Sequence, residues 1–360
     1  MLGQIRNEQL EAWDGIPFLE DIPFFAQQRK IITRNCGIVD PSSIEEYIAH
    51  GGFRSFARAI RRHTYEEICD IIEKSQLRGR GGSGYPTGKK WKTALGQSSD
   101  QKYLICNADE SDPGSFTERF LAEGDPFRVI EGIALSSYAI NANKAIIFIR
   151  NRYYQAIERL EKTIHRAREY GILGHNIFDS GFNLDIEIKK GSGAFICGEE
   201  TALIRSLEGK RGMPYPKPPY PAQKGLYNKP TVINNMETLC VIPDIVFHGA
   251  GWFKTIGNKT SKGTKMIGIS GKTKNNCVAE IPLGTSLKEI IEKTGGGIQS
   301  DHQLKAIHIG GPGGGTIPAS QTEVPFDYDS LRDLGALMGS AGILALDETV
   351  CMVDWARYYM

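Results

Sequence analysis

The chain of 360 residues lacks three features: a long apolar run, an excess of either charge, and a clustered set of cysteines. No stretch reaches the roughly 18 apolar residues that a membrane-spanning helix needs, and residues 1–15 lack the basic and apolar regions of a signal peptide. Lysine plus arginine (43) nearly balance aspartate plus glutamate (42), so no overall field attracts nucleic acid or an anionic membrane. These absences predict a cytoplasmic protein that neither binds nucleic acid nor inserts into a membrane.

The seven cysteines are dispersed, with no CxxC spacing among them. An odd, scattered set is typical of a reducing compartment and argues against a disulfide framework. The seven histidines show no HExxH or similar spacing, so the sequence predicts no metal site. We expect Cys197 and Cys351 to be buried or packing thiols and not ligands of a cluster.

Alternating helix and strand patterns predict an α/β fold for the middle of the chain. A capping box at 64–67 opens an amphipathic helix that leads into a glycine-rich loop. Strand patterns at 103–106, 145–149 and 184–188 follow, separated by helical segments. Residues 29–34 also have the pattern of a short strand.

The chain changes character after about residue 249. Two strand patterns at 265–269 and 278–281, a capped helix near 286–289 and a strand at 306–309 predict a small β-grasp module. Residues 350–360 have a helical pattern without any stop signal, from which we expect that the chain was cut short within a helix.

The glycine-rich segment 79–84 fits the pattern G-x-G-x-x-G, which alone is weak evidence for a dinucleotide fold. A helix precedes its first glycine where that fold needs a strand, and Tyr85 stands where a P-loop needs lysine, so we reject both interpretations. Glycine N–H groups and a helix beginning near Thr87 can nevertheless bind an anion. Lys89 and Lys90 in that first turn would be unfavourable unless something negative is bound. The alternative is a flexible loop with two solvated lysines.

Two acidic groups provide further candidates. Glu199 and Glu200 end a second glycine-rich loop at a helix start, where acidic residues stabilise the helix dipole without any ligand. The polar segment 107–112 follows a strand, a usual position for ligand contacts in α/β sheets. Carboxylates at both places can accept hydrogen bonds from ribose hydroxyls, a carboxamide or the edge of a flavin ring.

Four long segments in register together resemble one family. They are GRGGSGYPTGKKW (79–91), CNADESDPG (106–114), GSGAFICGEETALIRSLEGKRGMPYPKPPYP (191–221) and NKPTVINNMETL (228–239). Their order and content are similar to the NADH-binding flavoprotein subunit of respiratory complex I and to the corresponding subunits of NAD(P)-linked hydrogenases and formate dehydrogenases. The resemblance covers roughly residues 29–360.

The resemblance implies FMN in a Rossmann-like α/β domain, a β-grasp (ubiquitin-like) module and the start of a helical bundle. The implied boundaries are 1–62 for an N-terminal arm and short helix, 63–248 for the FMN- and NADH-binding domain, 249–330 for the β-grasp domain and 331–360 for the beginning of a truncated helical iron–sulfur domain. Family members carry a 4Fe–4S cluster on a cysteine motif beyond a helix resembling 350–360, so we expect the ligands of that cluster to be absent here.

The resemblance also implies the site residues, none of which acts as a catalyst, because hydride passes between cofactors. The positions matching FMN contacts, or lying near them, are Gly79, Arg80, Gly81, Lys90, Asn107, Asp109, Glu110, Phe195, Glu199, Asn234, Asn235 and Thr238. The positions matching NADH contacts are Tyr85, Asp112, Glu200, Lys217 and Tyr220, and the tyrosines can stack on adenine. Two positions depart from the family: Asp112 replaces the glutamate usual in complex I members, and Phe195 replaces a tyrosine.

The implied reaction is hydride transfer from the nicotinamide C4 to the flavin N5, followed by single-electron transfer to iron–sulfur centres. The implied partners are NADH, a small thioredoxin-like 2Fe–2S subunit and a larger iron–sulfur or catalytic subunit. Segment 29–52 resembles the soluble hydrogenase-type relatives more than the respiratory ones. Two alternatives stay open: a non-catalytic binding and assembly module that docks through the 310–315 loop, and a flavin-free NAD(P)-dependent dehydrogenase. No arginine is clearly placed to distinguish NADPH from NADH.

Overall fold

The computed structural model describes residues 4–5, 11–112 and 114–359. Most of residues 1–10, Pro113 and Met360 lie outside the described residues, so parts of the N-terminal segment predicted to lack a signal peptide, of the 106–114 motif and of the terminal helix lie outside them too. The helices are α1 (Pro23–Ala26), α2 (Ile44–Ala49), α3 (Arg54–Arg62), α4 (Tyr65–Ser75), α5 (Thr87–Leu95), α6 (Thr117–Gly124), α7 (Pro126–Ala139), α8 (Tyr154–Glu169), α9 (Glu200–Leu207), α10 (Met236–His248), α11 (Ala250–Lys254), α12 (Leu287–Glu289, continued by a π-turn at Ile290–Thr294), α13 (Tyr328–Asp333) and α14 (Met352–Tyr359). The strands are β1 (Tyr103–Ala108), β2 (Lys144–Arg150), β3 (Asp185–Gly191), β4 (Thr231–Asn235), β5 (Thr264–Gly271), β6 (Cys277–Pro282), β7 (Leu304–Ile309), β8 (Gly315–Pro318) and β9 (Gly342–Asp347).

The first sheet has four parallel strands in the order β3-β2-β1-β4. Alternate residues of β1 face two different cores. Leu104 and Cys106 join the larger core with residues of α7 and α10, whereas Ile105 joins a smaller core with Leu203 of α9. Burial on both faces explains why the inner strands β1 and β2 are nearly continuous apolar runs, whereas the edge strand β3 has alternating buried and exposed residues at its start.

The strand order creates a switch point beside β1. The chain runs from β1 outward to β2 and β3, then returns to place β4 on the other side of β1. At that point the carboxyl ends of two neighbouring strands carry polar residues, and Asn107 lies opposite Asn235 in the register. In open α/β sheets, ligands bind outside the carboxyl ends of strands at this kind of position.

The second sheet has five strands in the order β6-β5-β9-β7-β8, with its own core. The predicted strands at 265–269, 278–281 and 306–309 are confirmed as parts of β5, β6 and β7. The central strand β9 differs from expectation, because residues 342–347 lie in the range where we predicted the start of a helical domain. Its sequence is a short buried apolar run without alternation, which periodicity alone cannot assign to a strand.

Residues 29–34 do not form the predicted strand, and that prediction is wrong. The Glu280 carboxylate instead accepts hydrogen bonds from the backbone N–H groups of Ile31, Ile32 and Thr33, and from the Thr33 hydroxyl. A side chain therefore satisfies the donors that a neighbouring strand would otherwise pair. Within the described ranges, no helix is long and apolar enough to cross a membrane.

Candidate functional site

A cleft of about 870 Å³ opens at the switch point between β1 and β4. Its volume lies in the range typical of small-molecule sites. Loops and helices connected to the first sheet supply most of the wall, and the loops beside β9 and β7 supply the rest through Ser340, Gly339 and Gly310. All but two of the predicted site residues line the cleft: Gly79, Gly81, Tyr85, Lys90, Asn107, Asp109, Glu110, Asp112, Phe195, Glu199, Glu200, Lys217, Tyr220, Asn234 and Asn235.

The two exceptions, Arg80 and Thr238, lie behind the wall. The buried Arg80 guanidinium donates to the carbonyl oxygens of Arg78 at 3.0 Å and Lys262 at 2.6 Å. The Thr238 hydroxyl accepts from the Arg80 backbone N–H at 2.8 Å. Both side chains therefore support the glycine loop from outside the cleft, and their predicted contacts with FMN stay a prediction.

The glycine loop leads into α5, which begins at Thr87 as predicted. The two lysines in its first turn have different surroundings. Lys90 Nζ donates to the Ile233 carbonyl at 2.9 Å and pairs with Glu200 at 3.3 Å, whereas Lys89 is exposed to solvent. Lys89 is therefore a solvated lysine, as in the alternative interpretation of this loop. The charge of Lys90 is already balanced by the Glu200 carboxylate across the cleft.

Glu199 and Glu200 connect α9 to two other segments of the wall. Glu199 caps α9, because its Oε2 accepts the N–H groups of Thr201 at 2.7 Å and Ala202 at 3.0 Å. Lys217 Nζ donates to both glutamates, at 3.1 Å from Glu199 and 3.2 Å from Glu200. Burial opposes the ionisation of Glu199, but these hydrogen bonds outweigh it and lower its pKa. Helix capping thus accounts for Oε2 of Glu199, whereas the second oxygen, Oε1, faces Lys217.

Asp109 is the unsatisfied group of the cleft. Its side chain is buried, with 7% of the residue exposed, yet neither carboxylate oxygen has a hydrogen-bond partner among the described residues. Burial raises the pKa of Asp109 to about 6, although the Arg150 charge opposes that shift. An unpaired buried carboxyl costs about 1–3 kcal/mol or more, which a ligand donor would offset. The ring N–H and ribityl hydroxyls of FMN are such donors, so the residues present fit this cofactor.

Three aromatic side chains lie at the mouth of the cleft: Tyr85, Phe195 and Tyr220, each more than half exposed. Exposed aromatic faces can stack on planar rings such as adenine or nicotinamide. The Asp112 oxygens accept hydrogen bonds from the Gly114 N–H and the Ser340 hydroxyl, both at 2.9 Å. The predicted contact of Asp112 with NADH stays a prediction.

Glu118 also lines the cleft, and sequence reasoning missed it. It lies on α6 in a polar stretch that is typical of a surface helix, and only the contact with Asn235 reveals its position.

Among the described residues, no group of three or more histidine, cysteine, aspartate or glutamate side chains is arranged to hold a metal ion. Cys197 is buried in the smaller core as expected, whereas the prediction for Cys351 is wrong: it is exposed, because it directly precedes α14, a helix that buries none of its described side chains.

Comparisons with known proteins agree with this geometry. Residues 72–244 match the family described as Nuo51 FMN-binding domain. The NADP-reducing hydrogenase subunit HndC of Solidesulfovibrio fructosivorans is 51% identical over 334 residues, which are 93% of this chain and 68% of that protein. The F 2 subunit of NADH-quinone oxidoreductase from Rhizobium meliloti (strain 1021) is 45% identical over 326 residues, 91% of this chain and 77% of that protein.

One solved structure, an NAD+-reducing [NiFe]-hydrogenase in the H2-reduced state, matches with a TM-score of 0.74 and 33% identity over 84% of this chain and 51% of that chain. The air-oxidised state of such a hydrogenase matches with a TM-score of 0.76 and 30% identity over 92% of this chain and 54% of that chain. The chain therefore spans about half the length of the hydrogenase chains that it matches.

Proposed function

The chain belongs to the family of FMN-binding oxidoreductase subunits found in complex I and in NAD(P)-linked hydrogenases, and we propose that its cleft holds FMN and NAD(H) for hydride transfer between them. The surroundings of Asp109 are the main support for the proposal. It is a buried carboxyl without a partner among the described residues, whereas Lys90, Lys217 and the two glutamates of the wall are paired with one another. A ligand bearing N–H or O–H donors is the missing partner.

The protein's own contribution is to bind, orient and exclude water. When bound, FMN supplies a ring that takes a hydride from nicotinamide and returns electrons one at a time. Trp91 donates to Asn234 Oδ1 at 2.8 Å, and Asn107 donates to the Gly198 carbonyl at 3.0 Å. These bonds fix the orientation of two amides that face the predicted flavin position. The exposed rings of Tyr85 and Tyr220 would hold the adenine end of the nucleotide.

We further propose that electrons leave through iron–sulfur centres of partner subunits in a cytoplasmic, hydrogenase-type complex. The expected partners are a thioredoxin-like 2Fe–2S subunit and a larger iron–sulfur or catalytic subunit. The 51% identity to a subunit of an NADP-reducing hydrogenase supports the hydrogenase type and makes NADP(H) an alternative nucleotide. Within this proposal, residues 63–248 bind both cofactors, and the five-stranded sheet is the β-grasp module.

The direct test is retention of flavin after desalting. The chain is incubated with FMN and passed through a desalting column, together with the variants Asp109→Ala and Asp100→Ala. Asp100 is the matched control, because it is a solvent-exposed aspartate paired with Lys229 at the surface. We expect the wild-type chain and Asp100→Ala to retain FMN and Asp109→Ala to lose it. If the wild-type chain retains none, the proposal fails and the non-catalytic binding module becomes the better hypothesis.

A further inference from the structure

Glu110 lies in the cleft wall at the N-terminus of α6. Its carboxylate accepts hydrogen bonds from the hydroxyls of Ser115 and Tyr153 and from the backbone N–H groups of Thr117, Glu118 and Arg119. Backbone donors at a helix N-terminus favour a negative charge. The Glu110 carboxylate therefore lies among donors that suit a negative charge.

Glu118 lies directly beside it and is equally buried, with 5% of the residue exposed. The Thr117 hydroxyl lies 3.3 Å from Glu118 Oε2 and 3.3 Å from Glu110 Oε1, so the two carboxyls are neighbours, while Glu118 Oε1 accepts the amide N–H of Asn235. Two neighbouring buried carboxyls cannot both be ionised without strong repulsion. Burial, together with the charge of Glu110, raises the pKa of Glu118 well above its ordinary value.

Among the described residues, no cation forms a salt bridge with Glu118. Lys265 of β5 is the basic residue whose charge acts on Glu118, but its ammonium group is bonded to Glu237 of α10. Arg119 on the same helix pairs with Glu123 at 2.9 Å. From the neighbouring segments, Arg150 donates to the Glu110 backbone carbonyl, and Asp112 accepts from Ser340. Within the described part of the chain, the Glu118 carboxyl therefore has the Thr117 hydroxyl and the Asn235 amide as donors and the Glu110 carboxyl as a neighbour, but no salt bridge.

We propose that Glu110 and Glu118 share a single proton carried by Glu118, and that the neutral Glu118 is a positioning residue for the flavin side of the cleft. The neutral carboxyl donates to Glu110 and accepts from Asn235. Asn235 also caps α10 through its Oδ1, which accepts the Glu237 N–H at 2.9 Å. Ionisation of Glu118 would drive it away from Glu110 and disturb the Asn235 amide beside Gly81. The part concerning flavin rests on the proposed function, whereas the shared proton does not.

The proton is tested on the flavin-free protein by infrared spectroscopy. The spectrum of Glu118→Gln is subtracted from that of the wild-type chain at neutral pH, with Glu123→Gln as the control on the same helix. We expect the first difference to contain the carbonyl stretch of a protonated carboxyl and the control difference to lack it. Absence of that band would overturn the proposal, whether or not the protein binds FMN.

The positioning role is tested by the dissociation constant of FMN, measured as the pH is raised from neutral until the infrared band disappears. We expect the wild-type affinity to weaken over the same pH interval in which the infrared band disappears, with the slope of one proton, about tenfold per pH unit. Glutamine cannot ionise, so Glu118→Gln should bind FMN with little dependence on pH. Parallel profiles for the two proteins, or loss of the band without loss of affinity, would refute the role. If the variant failed to fold, the wild-type comparison of band and affinity would still decide between the two outcomes.

Discussion

The buried ion pair between Lys265 and Glu237 offers the sharpest energetic prediction. It joins β5 of the second sheet to α10 beside the first sheet, and both residues are at most 1% exposed. Glu237 also accepts the Met266 N–H at 2.8 Å, and Lys265 donates to the Met266 carbonyl at 2.9 Å. Removing one member of a buried pair strands the charge of the other, which costs about 3–5 kcal/mol. We therefore expect Lys265→Met to lower the free energy of unfolding by about that amount.

The test is a double-mutant cycle with Glu237→Gln, read by urea denaturation. Glutamine keeps an oxygen for the Met266 N–H but carries no charge, so adding it to Lys265→Met leaves no stranded carboxylate. The double variant should be less destabilised than the sum of the two single variants, by about 2 kcal/mol or more. Lys288→Met, which breaks an exposed pair with Glu323, is the control and should cost less than about 1 kcal/mol. Additive single effects would show that the buried pair is not coupled as the structure indicates.

Three further predictions concern the cleft. Tyr85→Ala and Tyr220→Ala should each weaken NADH binding about tenfold, because stacking on a base is worth about 1–3 kcal/mol. The dissociation constant of FMN, measured by fluorescence, should change less than about twofold. An equal loss of affinity for both ligands would refute separate positions for NADH and FMN in the cleft. Burial raises the pKa of Asp109 in the folded state to about 6, above the value of about 3.9 in the unfolded chain. The stability that the protonated Asp109 contributes is therefore fully present below about pH 4 and is lost as the pH rises through about 6. Melting temperatures of the flavin-free chain should fall across that interval, and those of Asp109→Asn should lack this component; identical profiles would contradict it. Arg80→Met should lower the free energy of unfolding by about 1–3 kcal/mol and weaken FMN binding indirectly through the loop, and unchanged denaturation curves would show that its two carbonyl bonds contribute nothing.

Local signals predicted much of the fold correctly. The capping box at 64–67 is present, with the Thr64 side chain accepting the Glu67 N–H at the start of α4. The strands β1, β2 and β3 follow the predicted apolar patterns, because both periodicity and caps depend only on residues a few positions apart. Three of the four motif segments include the carboxyl end of a parallel strand, 106–114 that of β1, 191–221 that of β3 and 228–239 that of β4, which accounts for much of their gathering at one edge of the sheet.

Long-range contacts account for what the sequence could not predict. Residues 29–34 owe their conformation to Glu280, which lies 249 positions beyond Ile31, so no local pattern reports the bond. The central position of β9 depends on β5 and β7 as neighbours. Glu118 faces the cleft only because α6 packs beside Asn235, and periodicity in so short a helix does not indicate which neighbour its polar side meets.

The central claim is that one cleft holds both the flavin and the nicotinamide nucleotide, and an anaerobic absorbance titration of the FMN-loaded chain with NADH tests it most directly. If the cleft orients both ligands for hydride transfer, the flavin absorbance should decrease in proportion to the added NADH. The decrease should be complete at about one equivalent, because each NADH delivers two electrons to one flavin. A chain that retains FMN but whose flavin absorbance does not change with NADH would contradict the claim.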